Sequence, residues 1–597
     1  MKTSAESGKR NKRSVCGICG ILNLDGAPVR QDEIAAMSSV LAHRGPDDDG
    51  AYLDGPLGLG HRRLSIIDLA HGHQPMTNED RTVWVVFNGM IYNYKPLAEA
   101  LRRAGHTFAT NCDTEVLVHA YEEWGIKMLE RLNGQFAFAI WDGKGLFIAR
   151  DRMGEKPLYY AVATETFYFA SEIKSLLPHV RPEPNIPPDF FVFENTLTDD
   201  TLFKGIKELQ PAHYLVVTQR SDLTPRRYWS IPNEVDENLT EVEAVQQLRE
   251  LVFDAVTTRL QADVPLGMYL SGGLDSSIIA CIAKPDCVYT SYYAEPGKFD
   301  EREAARVVAR HIKAEHVFVT LKPEDVPTLF EDIIYHLDQP ISSSSTISSF
   351  NLARHARDVF KVVLNGQGAD ELFGGYGRYV LLHHEVELGR LPFFGQYTPM
   401  ARRFWNSNMF GDPALRYLEL NQRVSPRTSL PADTVRQLFS YHSDIVSKTG
   451  YTDTAITLQD LIKMDDRGCA HVGLESRSPF LDHRIVEFSF RLPARFKIRS
   501  GGATKWILRE VAREFVPLEI VERRDKMGMV SPIGVWLRRE LRSWSEPLVA
   551  SLRTRGLDLP TEQPEENEYD RRLHALVSME LWFRRFIDRS KLTSARH

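Results

Sequence analysis

The heptad Ser271-Gly272-Gly273-Leu274-Asp275-Ser276-Ser277 carries the strongest chemical signal in the chain. It lies between two apolar runs, VPLGMYL and SIIACIA, and reads as a loop joining a strand to a helix. Backbone N–H groups and the helix dipole at such a junction favour a phosphate. The two glycines allow close backbone approach, the serine hydroxyls add donors, and Asp275 is placed to hold Mg²⁺ on the phosphates. The lysine of a GxxxxGK[ST] loop is missing, so this is a different kind of phosphate loop. A Gly-Ser turn opening a helix is the plainer alternative. A second signal follows the run FKVVL: Asn365-Gly366-Gln367-Gly368-Ala369-Asp370-Glu371-Leu372-Phe373-Gly374-Gly375-Tyr376. Its adjacent carboxylates suit a second metal ligand facing the first loop, or a tight turn with an acidic pair at a helix N-terminus. The third signal is Cys16 with His43-Arg44-Gly45-Pro46-Asp47, His61-Arg62-Arg63-Leu64-Ser65 and Asn88-Gly89. A thiol nucleophile needs a base and an oxyanion stabiliser. Asn88 and the Gly89 N–H suit an oxyanion hole, and Arg63 suits a bidentate grip on a carboxylate. Taken singly, the same residues would be a surface arginine, a turn asparagine and a buried cysteine.

These residues need elements to place them. CGICGILNLDG reads as a strand and an Asp-Gly turn. Further strands are expected at 82–89, 136–143, 145–151 and 166–171, and helices near 31–42, 95–104 and 113–132. The segment 180–240, rich in Pro and polar residues, reads as a connector. Beyond it EVEAVQQLRELVFDAVTTRLQ has helical spacing. DCVYTSYYA, EREAARVVARHI, EHVFVTL, NLARHARDV and FKVVLNG then alternate strand and helix, the pattern of a doubly wound parallel sheet. From 380 onward the chain reads as mainly helical.

Composition narrows the classes. With 597 residues, 43% hydrophobic and 26% charged, the chain is an ordinary globular one of more than one domain. Its formal charge of −7 does not suit a general nucleic-acid binder. Six cysteines are too few for a disulfide scaffold, and Cys16-x-x-Cys19 has no second pair to make a zinc ribbon. No apolar run reaches the ~18 residues of a membrane span, and the basic N-terminus lacks the apolar core of a secretory signal. A cytoplasmic location is expected. Cys281 and Cys469 read as packed core thiols.

Together the three signals carry a resemblance. CGICG, HRGPD, GHRRLSIID, HGHQPM, NGMIYNY, NCDTEV, NGQFAFAIWD, ARDRMGEKPLYY, FASEIKSLL, TLFKGIKELQPAHYL, VPLGMYLSGGLDSS, NGQGADELFGGY, HVGLESRSPFLDHRIVEF and KWILRE follow one another as in glutamine-hydrolysing asparagine synthetases. The chain resembles that family from Cys16 nearly to its end. The resemblance implies an N-terminal extension, 1–15, that is disordered or removed, an N-terminal-nucleophile αββα glutaminase domain over 16–232, and a doubly wound pyrophosphate-loop synthetase domain with a helical C-terminal part over 233–597. Cys16 would attack glutamine with its α-amino group as base. Arg63, Leu64, Ser65, Ile66, Ile67, Asn88, Gly89, Met90 and Asp113 would bind the glutamine. Leu270, Ser271, Gly272, Gly273, Asp275, Ser276, Ser277, Ala294, Asn365 and Gly366 would bind ATP, with Mg²⁺ on Asp275 and Asp370. Gln367 and Lys526 would join the synthetase catalysis. Aspartate would be adenylated, and ammonia arriving through an internal tunnel would displace AMP. The partners implied are small molecules and a second copy in a homodimer, with no nucleic acid and no membrane.

Four departures bear on this. Fifteen residues precede Cys16, which blocks its amine unless they are removed or translation starts at Val15. The family's NGEIYN reads NGMIYN, so Met90 replaces a glutamate that helps hold the substrate ammonium. Gln367 stands where many members have an acid. Asp338-Gln339-Pro340 replaces Asp-Glu-Pro, and Tyr292-Tyr293-Ala294 replaces a small apolar pattern near the adenine. Two other readings therefore stand beside asparagine synthesis. One is an ammonia- or amine-using amide synthetase of specialised metabolism acting on another carboxylate. The other is a weakly catalytic regulator that binds nucleotide or glutamine.

Overall fold

The computed structural model describes residues 16–187, 190–219, 223–293, 300–341, 343–384, 412–421, 432–499, 501–524, 531–557, 559 and 572–588. Ala294, Lys526 and the segment 1–15 lie outside the described residues.

Twelve strands build the first unit: β1 (Gly17–Asn23), β2 (Asp48–Asp54), β3 (Leu57–Arg63), β4 (Met76–Thr77), β5 (Trp84–Ile91), β6 (Gly134–Trp141), β7 (Leu146–Arg150), β8 (Tyr159–Ala163), β9 (Thr166–Ala170), β10 (Ile206–Glu208), β11 (His213–Val217) and β12 (Arg226–Arg227). They form two antiparallel sheets, ordered β10-β8-β9-β1-β3-β2 and β12-β11-β7-β6-β5-β4. Ile18, Leu57 and Leu59 of the first meet Val86, Ala137 and Ile148 of the second in one core. The helix Gln31–Val40 covers the outer face of the first sheet, setting Ile34 and Met37 on Cys19 and Ile21. Helices Tyr94–Ala104 and Asp113–Trp124 cover the second, through Leu101 and Val116 against Val85 and Phe87. The expected αββα layering is present. It also explains why CGICGILN is apolar throughout: a strand between a helix and a second sheet is buried on both faces and cannot alternate.

Two expectations need correction here. The stretch 180–240 is not simply a connector: β10, β11 and β12 lie in it and complete both sheets. Polar and proline-rich flanks hid strands only two to five residues long. The helix expected over 113–132 stops at Trp124, and a 3₁₀ turn over Gly125–Lys127 separates it from Met128–Arg131.

The second unit centres on five parallel strands, β13 (Leu266–Tyr269), β14 (Cys287–Tyr293), β15 (Glu315–Leu321), β16 (Val362–Leu364) and β17 (Glu475–Arg477), in the order β15-β14-β13-β16-β17. Helices Glu241–Arg259, Leu274–Ala283 and Arg302–Ile312 pack one face through Leu248, Ile278 and Val308. Ser344–Ala356 and Thr457–Ala470 pack the other through Leu352 and Cys469. The sheet is doubly wound, as expected. Strand order reverses between β13 and β16, and ligands bind such sheets at that switch point, beyond the carboxyl ends of the strands. The heptad follows β13 and the Asn365 loop follows β16, so topology alone brings the two signals together. Beyond 380 the described residues are mainly helical, as expected, and β17 is the exception: three residues are too few to show a strand period, and their partner lies over a hundred residues back.

A buried ionic lattice joins the units. Arg44 pairs with Glu172 at 2.9 Å and with Asp466 at 2.9 Å, and Lys156 reaches Asp466 at 3.3 Å. Lys174 pairs with Asp338 at 2.9 Å, and Arg467 with Glu172. All these side chains are nearly inaccessible to water. Removing one member would leave an uncompensated buried charge, at about 3–5 kcal/mol.

Candidate active site

The first site is a small, partly open cavity bounded by Cys16, Arg63, Leu64, Ile66, Ile67, Gly89, Met90 and Asp113 among the sequence-assigned residues. Cys16 directly precedes β1. Its sulfur accepts the Leu64 N–H at 3.3 Å, and its S–H donates to the Leu64 carbonyl at 3.7 Å. Arg44 Nε donates to the Cys16 carbonyl at 3.0 Å, so the arginine of HRGPD positions the cysteine rather than reaching the cavity. Burial pushes the Cys16 thiol up to about 12, against the opposing pull of the Leu64 amide. Such a thiol keeps its proton at neutral pH and needs a base beside it to become a nucleophile.

Strand β5 delivers Phe87, Gly89 and Met90 to the cavity wall, while Asn88 of the same strand is not among the lining residues. Asn88 is fully buried, and neither its amide nitrogen nor its oxygen has a hydrogen-bond partner among the described residues. A buried amide left so is costly in a resting protein and fits a donor reserved for a substrate oxygen. Gly89 has φ +152°, and a β-carbon there would lie 2.0 Å from the Gln135 carbonyl, so no other residue fits without moving the β5–β6 pair. Asp113 begins its helix, and its Oδ2 accepts the Ile91 N–H at 3.0 Å. Burial raises its carboxyl to about 6. Arg63 donates to the carbonyls of Ile67 (3.3 Å), Asp68 (2.8 Å) and Leu69 (3.2 Å), and so fixes the loop that walls the cavity. Ser65 does not line the cavity; its N–H donates to Asp47 and its carbonyl accepts from Lys361.

Sequence reasoning missed part of this wall. Glu475 and Arg477, from β17 of the second unit, line the cavity and pair with each other at 2.8 Å. The stretch HVGLESRSPF contained them, but nothing local tied a strand near the C-terminus to a cysteine at position 16. Cys112 and Gln74 line it as well.

The second site lies at the sheet switch point. Gly273 caps the helix Leu274–Ala283 without a side-chain hydrogen bond, leaving its first-turn N–H groups open. Gly272 has φ +70°, with Ala305 N only 2.5 Å from where a β-carbon would stand. Ser271 Oγ accepts the Gly273 N–H at 3.3 Å and lies 3.1 Å from Ser276 Oγ. Ser277 is fully buried, as is Leu270, the residue directly after β13. Gly366 packs against Ser276, where a β-carbon would sit 3.0 Å from its nitrogen. Asn365 is occupied in holding its own loop: its oxygen accepts from the Gln367 N–H and from Ser478 Oγ at 2.9 Å each, and its Nδ2 donates to Asp465 at 2.7 Å. Gln367 follows it in the same loop.

Asp275 and Asp370 converge, and between them lies a residue the sequence reading left without a role. Lys505 Nζ is 2.7 Å from Asp275 Oδ2 and 2.6 Å from Asp370 Oδ1. The signal for it was the lysine opening KWILRE. Glu371 turns inward instead: burial and the neighbouring Asp370 raise its carboxyl to about 7, and the Tyr376 hydroxyl donates to it. Arg523 Nη1 reaches the Gly272 carbonyl at 3.5 Å.

Comparison with known proteins agrees with both halves. Residues 15–229 match the glutamine amidotransferase domain family, and residues 247–584 match the asparagine synthase family. The chain is 32% identical over 582 residues to "Asparagine synthetase [glutamine-hydrolyzing] 1" of Bacillus subtilis, covering 90% of each. It is 31% identical over 651 residues to "Putative asparagine synthetase [glutamine-hydrolyzing]" of Mycobacterium bovis, covering 96% of this chain and 98% of that one. It is also 29% identical over 633 residues to "Amidase chry2" of Gibberella zeae, covering 92% of each. With a cysteine cavity in its first unit and a Gly-Ser loop at the sheet switch point in its second, this chain belongs to the glutamine-hydrolysing asparagine synthetase family of ATP-dependent ligases.

Proposed function

We propose that the chain makes asparagine from aspartate with glutamine as nitrogen donor. The observation that carries this is the pairing, in one chain, of the Cys16 cavity, with the orphaned Asn88 amide on the strand that walls it, and the Asp275–Lys505–Asp370 cluster at the sheet switch point. Cys16 Sγ attacks the side-chain amide carbon of glutamine, and Asn88 and the Gly89 N–H stabilise the oxyanion. Ammonia leaves, and water hydrolyses the thioester to glutamate. Because burial holds the thiol proton in place, the step needs the Cys16 α-amino group free as base, hence a chain beginning at Cys16. An α-amino pKa of ~7.7–8.0 leaves neutral amine available. Asp113 receives the substrate ammonium, with Met90 beside it contributing no charge.

At the second site the Ser271–Ser277 loop cradles the phosphates of ATP. Two convergent carboxylates are a hard-oxygen donor set that suits Mg²⁺, so Asp275 and Asp370 would hold it, where it would neutralise phosphate charge. The aspartate side-chain carboxylate attacks the α-phosphorus and expels pyrophosphate. Lys505, with Lys526 outside the described residues, balances the negative charge. Ammonia then attacks the acyl carbon and AMP leaves. A cytoplasmic, homodimeric enzyme with an internal ammonia passage is part of the same reading. Gln367, an amide where an acid would deprotonate the amine, favours a second reading in which a different carboxylate is the acyl substrate.

Pyrophosphate release from ATP–Mg²⁺ with ammonium and aspartate tests this without involving Cys16. Release that depends on aspartate, with asparagine formed, is the expected result. ATP binding without release would overturn aspartate as the substrate and direct attention to other carboxylates.

A further inference from the structure

Away from both sites, the turn after the helix Tyr94–Ala104 and the middle of the helix Asp113–Trp124 bring His106, His119 and Glu122 together. One ligand atom from each lies within 4.8 Å of the other two. His119 Nδ1 is 3.0 Å from Glu122 Oε2, and His106 Nδ1 is 3.8 Å from the same oxygen. A tetrahedral ion with bonds of ~2.1 Å holds its ligand atoms about 3.4 Å apart, so these separations bracket the required one.

One remaining ring nitrogen is held as in metal-binding histidines: His106 Nε2 faces Glu123 Oε2 at 3.3 Å. His119 Nε2 is buried with no hydrogen-bond partner among the described residues, and Glu115 Oε1 lies 3.7 Å from it. Glu115 is itself fixed by the Ala109 and Thr110 N–H groups at 2.7 Å each. Asn78 Nδ2 donates to Glu122 Oε1 at 2.7 Å. In metal sites a carboxylate on the distal nitrogen fixes the tautomer and aims the other nitrogen at the ion. Glu79 Oε2 lies 3.8 Å from His119 Nδ1, outside the three-residue cluster. Four carboxylates around two imidazoles are more negative charge than the pair of rings can balance, and a dication answers that excess.

We propose that His106, His119 and Glu122 bind a divalent transition-metal ion. The imidazole–carboxylate donor set selects Zn²⁺ among the common ones. The ion would fasten the turn at 105–108 to a helix whose first residue, Asp113, lines the Cys16 cavity. The site is independent of both reaction centres.

The test uses full-length protein dialysed against Zn²⁺, with bound metal counted by plasma mass spectrometry. The wild type should hold one more Zn²⁺ per chain than His106→Ala, whose half-buried side chain can be removed without opening the core. Circular dichroism checks that the variant is folded. Glu123→Ala, which removes only the partner of His106 Nε2, should weaken binding about tenfold. Co²⁺ in place of Zn²⁺ should give a spectrum lacking sulfur-to-cobalt charge transfer. Equal metal content in the wild type and His106→Ala, or a thiolate band with Co²⁺, would overturn the proposal.

Discussion

Replacing Asn88 with leucine separates stability from catalysis in one residue. Both polar atoms of the Asn88 side chain are buried without a partner among the described residues. Burying an amide in that state costs about 1–3 kcal/mol, and replacing it with an apolar side chain of similar shape removes the penalty. Asn88→Leu should therefore leave the first unit as stable as before, or more stable by up to about 3 kcal/mol. The same change deletes an oxyanion donor, which should lower kcat for glutamine hydrolysis by about 10²–10³, or roughly 2.7–4 kcal/mol of transition-state stabilisation. Glutamate release measures the catalytic arm, and denaturant unfolding of the first unit measures the other. Ammonia-supported pyrophosphate release should be unchanged. A loss of more than about 2 kcal/mol of stability would make the amide a structural hydrogen-bonding group after all. A kcat within about threefold of wild type would remove Asn88 from the oxyanion hole.

Three other outcomes follow from the same geometry. Burial raises the Asp113 carboxyl to about 6 from its usual 3.8, so the folded protein binds this proton more tightly than the unfolded chain, and its contribution to stability is lost as pH rises from about 4 to 6. Above that range Asp113 is the carboxylate an ammonium needs. The glutamine KM should climb as pH falls below about 6, approaching tenfold per pH unit, while ammonia-supported synthesis does not follow; a flat KM would refute the role. Met90→Glu places a second carboxylate in the cavity and should lower the glutamine KM about tenfold, the size of one hydrogen bond to a charged group; an unchanged KM counts against it. Lys505→Met leaves Asp275 and Asp370 facing each other and should abolish ATP–pyrophosphate exchange, with glutamine hydrolysis retained. Exchange near the wild-type rate would show that the lysine is dispensable.

Much of this was legible in the sequence where chemistry and neighbours in the chain coincide. The SGGLDSS loop could be placed between strand and helix because apolar runs flank it, and the switch-point geometry follows from the alternation of elements. Cys16, Asn88 and Gly89 were readable as residue types suited to acyl transfer, and the structure puts Cys16 and Gly89 on one cavity. What stayed hidden depends on pairing at long range. Lys505 meets Asp275 across 230 positions, and the charge balance between them leaves no local trace. Arg44 could be seen only as part of the HRGPD stretch; its partners, Asp466 among them, lie on elements that only the fold brings near. β10, β11, β12 and β17 are too short to show a period, so their identity comes from their neighbours in the sheets.

The three residues of β17 set a limit on modular exchange. Glu475 and Arg477 wall the cysteine cavity, while Ser476 between them donates to Asp465 and accepts from Asn365 in the loop of the other site. A boundary drawn near residue 232 would divide the sequence into two named parts, but it would leave the glutaminase without one side of its pocket. A chimera that borrows either half from a relative must carry β17 with the first unit and fit it to β16 of the second. In this protein the unit of inheritance for the glutamine pocket is larger than the domain that contains its nucleophile.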